Sequence, residues 1–170
     1  MTVLQIMYVE LALYNKWQNQ VVYDICKELG DEAIECERPG LFFGTLRLTL
    51  DHIAHVDRVL IDFVRSGTPP PDFRPGEVQY SSFAELIRHR PALDQEILDL
   101  VSSSTEQWLI DPIEFFSDRL GRRRRFPRSF LLTQMFNHQT HHRSQVTATV
   151  HSLGRDYGAT DLPMNPLSQF

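Results

Sequence analysis

Four stretches of this chain repeat their apolar residues at alternating steps of three and four, each over some twenty residues or more. That period puts the apolar side chains on one face of a helix, so the chain must bury itself by packing helix against helix. In the first stretch the repeat is Leu4, Met7, Leu11, Tyr14, Gln18, Val21, Ile25 and Leu29, with Gly30 as the stop. The second runs from near Gly44 to about Ser66 along Leu46, Thr49, Ile53, Val56, Leu60 and Phe63. The third opens on Ser82-x-x-Glu85, a capping box, and continues through Phe83, Leu86, Ile87, Leu93, Ile97, Leu98 and Val101. Pro91 lies inside it and predicts a kink or a break. The fourth runs from about Pro127 to Leu153, with Gly154 as its C-terminal cap.

The connections decide how four such helices are joined. "DEAIECERPG" is a polar link, and "SGTPPPDFRPGE" holds four prolines and two glycines in twelve residues, which no helix interior accepts. Before the last helix, Ile113 to Phe116, the turn material Ser117 to Gly121, and Arg122 to Phe126 read as a short β-hairpin. Long crossovers of this kind permit parallel neighbours. The expectation is an all-α chain, a four-helix bundle with a short β-hairpin before the last helix, as one domain over residues 1–170. The tail after Gly154 is expected to be irregular and packed on the bundle.

Charge and composition remove several function classes. The net charge of -5 gives no support to a nucleic-acid role. The run Arg122 to Arg125 would split into two pairs on opposite faces of a strand, without interleaved aromatics to stack bases. The apolar N-terminus is interrupted by Glu10 and lacks a basic leader, so it reads as a helix and not as a signal peptide. No run reaches the roughly 20 apolar residues of a membrane span. Cys26 and Cys36 are too few for a disulfide framework, so both read as free thiols in a reducing, cytoplasmic setting.

The chemistry-bearing segment is "FNHQTHHRSQV", residues 136 to 146. On a helix, Leu131, Met135, His138, His142, Gln145 and Thr149 fall on one stripe and Gln134, Asn137, His141, Ser144 and Ala148 on the next. The first stripe is apolar at its N-terminal end and the second is polar, so His138 and His142 point to the core and His141 to its edge or to solvent. Histidines at i and i+4 stand one turn apart on one face and suit two cis ligands of a metal. Two buried imidazoles in contact need a shared partner or a cation, because protonating both is unfavourable. On the second helix His52 lies with Leu48, Val59 and Phe63 on the shoulder of the apolar stripe, whereas His55 falls among Asp51, Arg58 and Asp62 on the polar side. His52 is therefore the better third ligand. His89 and His151 read as surface residues. No Glu follows His138, so the H-E-x-x-H protease pattern is absent.

At these residues the chain resembles the DinB/YfiT-like proteins, bacterial four-helix bundles with a three-histidine metal site. "LYNKWQNQVVYDICKEL" is similar to the family's first helix, and "GTLRLTLDHIAHVDRVLIDF" to its second, with the ligand in the step Asp51-His52-Ile53. "FNHQTHHRSQV" resembles the Asn-His-x-x-x-His-Arg-Gly-Gln segment, which places the other ligands at His138 and His142; Ser144 stands where the family usually has Gly. The resemblance implies helices arranged up-down-down-up, a divalent metal (nickel or zinc), a small-molecule substrate and a homodimer. It leaves the reaction open between a thiol-dependent S-transferase that uses a low-molecular-weight thiol, a hydrolase that activates water at the metal, and a non-catalytic metal- or ligand-binding stress protein. Three imidazoles with a vacant position make a site of catalytic type. Gln145, one turn beyond His142, and Asn15 on the first helix are the candidate catalytic residues. Trp17 is expected to border the pocket or sit in the core, and Asp51 or Asn137 to orient a ligand imidazole.

Overall fold

Thr2 accepts a hydrogen bond from Gln5 N while Gln5 Oε1 accepts one from Thr2 N at 2.8 Å, so helix α1 (Val3–Leu29) begins in a reciprocal cap. The computed structural model describes residues 1–70, 74 and 76–170, with Arg119 as backbone only. Pro71, Asp72, Phe73 and Pro75 of the proline-rich connection lie outside the described residues. The expected polar link after α1 contains a short helix, α2 (Asp31–Glu35), formed where Ile34 is drawn into the core to 1% exposure. Helix α3 (Leu46–Ser66) is capped by Thr45, which accepts from Leu48 N at 3.0 Å, and it stops at Gly67, whose left-handed φ of 71° lets its N–H turn back to Phe63 O.

Helix α4 (Phe83–Ser103) starts at Ser82, which accepts from Glu85 N at 3.2 Å. The return half of the expected capping box is made one residue early: Glu85 Oε2 accepts from Ser81 N and Ser81 Oγ. The helix passes through Pro91 without a break. Pro91 is exposed, and the buried ion pair between Arg90 and Asp94 clamps the two turns that flank it. A short helix, α5 (Glu106–Ile110), was not foreseen; Thr105 caps it, and it buries Leu109 completely. The hairpin follows as strands β1 (Pro112–Ser117) and β2 (Arg122–Pro127), antiparallel, with Phe115 opposite Arg124 and Glu114 opposite Arg125. The arginines split between faces as alternation requires: Arg124 lies over Phe126 on the half-buried side, while Arg123 and Arg125 are exposed. Helix α6 (Arg128–Ser152) closes the bundle and ends at Gly154 with φ 77°.

The four long helices form a square in which α1 and α3 are diagonal. Gln5 at the start of α1 bonds Ser104 past the end of α4, and Lys16 bonds Gln95, so this pair is antiparallel. Arg128 at the start of α6 bonds Val64 near the end of α3, so that pair is antiparallel too. Tyr8 bonds Ser129 and Asn19 bonds Gln139, so α1 and α6 run parallel. Asp57 meets Arg90 and Arg65 meets Glu96, so α3 and α4 run parallel. This is the expected up-down-down-up order with its hairpin before the last helix. The tail packs on α1: Tyr14 Oη donates to Thr160 O at 2.6 Å, and Gln169 N to Glu10 Oε1 at 2.9 Å.

Two helices turn a different face inward from the one that apolar spacing predicts. Along α1 the buried line is Tyr8, Ala12, Asn15, Asn19, Val22 and Cys26, while Met7 is 50% exposed. Along α6 the buried line is Leu132, Met135, Gln139, Arg143, Val146 and Val150, and His138 and Gln145 sit on its half-buried shoulder. Polar residues occupy the middle of both faces, and most of them pair with one another, although Asn15 Nδ2 and Gln139 Nε2 have no partner among the described residues. Arg143 Nη1 donates to Asn15, Asn19 and Gln139, and Asn19 Nδ2 passes on to Asp94 at 2.8 Å. Arg90 completes the network by binding Asp57 at 2.6 Å and Asp94. Burial, only partly offset by Arg90, raises the Asp57 carboxyl to about 6. Cys26 is buried and Cys36 exposed, both as free thiols, and burial raises Cys26 to about 12.

Candidate metal centre

The antiparallel packing of α3 on α6 sets the second turn of α3 against the middle of α6. His52 Nε2 lies 3.0 Å from His138 Nε2, and one ring nitrogen each of His52, His138 and His142 fall within 4.8 Å of one another. The ring centroids are separated by 4.9, 4.8 and 4.4 Å. Nitrogens held by one divalent ion at about 2.0–2.1 Å stand ~3 Å apart, so the spacing fits a shared cation. The three histidines that the i, i+4 spacing and the shoulder position of His52 selected are the ones the fold brings together.

The far nitrogens support the same arrangement. His142 Nδ1 donates to Gln145 Oε1 at 2.9 Å, which fixes the tautomer and leaves a lone pair on Nε2. Nδ1 of His52 and of His138 are buried without a partner among the described residues, so these rings are placed by packing and by their Nε2 atoms. Phe43 stacks on His52 at 4.0 Å between centroids and tilts against His142 at 5.6 Å. Gly44, with φ 82°, makes the turn that folds Phe43 back over the site just before Thr45 starts α3.

All three rings are neutral at physiological pH. Burial lowers His52 to about 4, with His142 adding to the effect, and lowers His138 to about 3, again with its histidine neighbours contributing. Burial lowers His142 as well, opposed by its bond to Gln145. Neutral imidazoles with converging lone pairs are the form a cation needs.

The histidines lie at one end of a cavity of about 760 Å³. Its walls are apolar residues of α3 (Val56, Val59, Leu60 and Phe63), Phe42 and Phe43, and Pro69 and Pro70. Ser117, Gln134, His141 and Gln145 complete the lining, with no charged residue among those described. From His52 to Phe63 the helix rises about 16 Å, which is the length of the apolar wall.

The other residues singled out in the sequence are placed as follows. Asn15 is 1% exposed, accepts from Arg143 in the interhelical network, and does not line the cavity. Trp17 packs edge-on against Tyr14 at 5.9 Å, also away from the cavity. Asp51 does not orient an imidazole: its two oxygens accept from Gln79 N and Tyr80 N, both at 2.9 Å, and tie the end of the proline-rich connection to α3. Asn137 is exposed. His55 is buried to 8% exposure, not on a solvated face, yet it stays outside the cluster. His141 is exposed, rests against His142 at 4.8 Å, and sits at the cavity rim. Missed altogether were Phe42, Phe43 and the cavity wall on α3. The legible signal was Phe-Phe-Gly directly before the Thr45 cap.

The fold and site thus define an up-down-down-up helical bundle with a three-histidine candidate metal centre beneath an apolar cavity. The sequence profile of the DinB family matches residues 2–169, and the chain belongs to that family. No curated protein and no solved structure matches it. No helix among the described residues is long and apolar enough to cross a membrane.

Proposed function

We propose that residues 1–170 form one domain that holds a divalent metal through Nε2 of His52, His138 and His142 and transfers a thiol sulfur to a small, largely apolar electrophile. The observation that carries the reading is the convergence of three neutral imidazoles in the wall of a large, mostly apolar cavity. The donor set fits a borderline-soft ion such as zinc or nickel. Such an ion is a Lewis acid that ionises a thiol or lowers the pKa of a water entering beside it.

The chain's own residues supply placement. Gln145 holds His142 through Nδ1, and Phe43 covers His52. Val56, Leu60 and Phe63 bind the substrate body and exclude water from the reacting end. No carboxylate lines the cavity among the described residues, so no side-chain base of that kind is available to a hydrolase. That favours a nucleophile ionised at the metal, and a thiol over water in an apolar cavity. The proposal keeps the homodimer that the family resemblance implies and the cytoplasmic setting expected from the two cysteines.

The test is conjugation. Metal-loaded protein is incubated with small aryl or alkyl electrophiles, with and without low-molecular-weight thiols. Product that needs both metal and thiol supports the transferase; turnover in water alone moves the assignment to the hydrolase. No turnover in either, with stoichiometric metal bound, leaves a binding protein.

A further inference from the structure

Arg143 is used by neither the histidine cluster nor its cavity. It is 4% exposed, and its Nη1 is fully engaged by Asn15, Asn19 and Gln139. Its Nε and Nη2 donors have no acceptor among the described residues. Neither of these two donors is sealed in the interior, so both are open to the space beside them. The neighbouring carboxylates do not fill the role. Asp57 and Asp94 are both bound to Arg90, and Asp94 reaches Arg143 only through Asn19.

Arg143 instead lines a cavity of about 350 Å³ between α1, α6 and the C-terminal tail, on the other side of α6 from the histidines. Tyr14, Thr140, Ser144, Thr147 and Tyr157 give it a hydroxyl-rich wall, and neither Asp nor Glu lines it. The guanidinium lies 5.7 Å from the Tyr14 ring centre, which backs it on the α1 side. Thr140, Ser144 and Thr147 each donate to a backbone carbonyl, so their oxygens keep acceptor capacity for a ligand's own O–H groups.

We propose that this cavity is a second ligand site, in which the free edge of Arg143 binds the oxyanion of a small phosphate- or carboxylate-bearing molecule. Two parallel N–H donors match either oxyanion bidentately. The cavity is larger than a free ion needs, so the natural ligand carries a polar organic body against the hydroxyl wall. The site stands apart from the metal reading and survives its failure.

The test titrates metal-free full-length chain with inorganic phosphate and, separately, with acetate by calorimetry. Arg143 itself is a hub of the buried network, so the informative variants are at Ala148, an exposed residue at the cavity mouth. At least one anion is expected to saturate at one per chain. Ala148→Glu should weaken it about tenfold or more, while Ala148→Gln stays within about threefold and both keep the parent melting temperature. His138→Ala should leave the binding unchanged. Which anion saturates identifies the oxyanion. The proposal is overturned if neither anion saturates, if Ala148→Glu binds as the parent does, or if His138→Ala abolishes binding, which would place the anion at the histidines.

Discussion

Gln145→Leu tests the centre without touching a ligand. Gln145 Oε1 is the acceptor for His142 Nδ1 at 2.9 Å, whereas the Nδ1 atoms of His52 and His138 have none among the described residues. The substitution keeps side-chain bulk and removes the group that fixes the tautomer and ring angle of one ligand in three. Loss of such a partner typically weakens metal binding about 10–100-fold, or ~1.4–2.7 kcal/mol. Gln145→Glu should act oppositely, because a carboxylate accepts the same proton more strongly and makes the imidazole a better donor. The assay is competition for zinc and for nickel against a chelator of known affinity at pH 7.5, with melting temperature measured on the metal-free proteins. The expected order is Glu, then Gln, then Leu, with unchanged metal-free stability. Equal affinity for all three would refute the argument that His142 binds through an Nε2 set by Gln145.

Further outcomes follow from the same geometry. His52→Ala and His138→Ala should each abolish stoichiometric metal by elemental analysis, whereas His141→Ala and His55→Ala should retain it. Metal uptake should fall less between pH 8 and pH 6 than three ordinary histidines would require, since His52 and His138 are already neutral there without metal. The metal-free protein should lose stability as pH falls below about 6.5, the unfolded-state histidine value, because the unfolded chain then binds more protons. Asp57 acts with the opposite sign, its raised carboxyl stabilising the fold at low pH and ceasing to do so as pH rises through about 6. Urea midpoints of His138→Phe and Asp57→Asn across pH 4–8 separate the two, and the reasoning fails if neither profile differs from the parent's. Arg90→Met should cost about 3–5 kcal/mol in urea unfolding at pH 7, because it strands two buried carboxylates.

The candidate centre was more legible than the faces that carry it. His138 and His142 followed from i, i+4 spacing, and His52 from its place beside an apolar stripe; both arguments are local and need only helical geometry. Arg143 was not singled out, and Asn15 was expected at the catalytic site, because neither local argument reports a partner on another helix. Their partners lie more than a hundred residues apart in the chain, and only packing brings Arg143 from α6 onto Asn15 and Asn19 of α1. Asp51 misled for a related reason. A carboxylate beside a ligand histidine suits an orienting role, but two backbone N–H groups some thirty residues ahead compete for it and win.

Local periodicity therefore determined that the chain is helical, where its long helices lie, and which helix faces carry His52 and the pair His138 and His142, because each is a property of residues within a few turns of one another. The tertiary structure alone decided which face of α1 and α6 is buried, that Phe43 closes over His52, and that an apolar cavity opens beside the histidines. Those outcomes depend on contacts between segments far apart in sequence, where the gain from pairing buried polar groups outweighs the apolar count along any one helix.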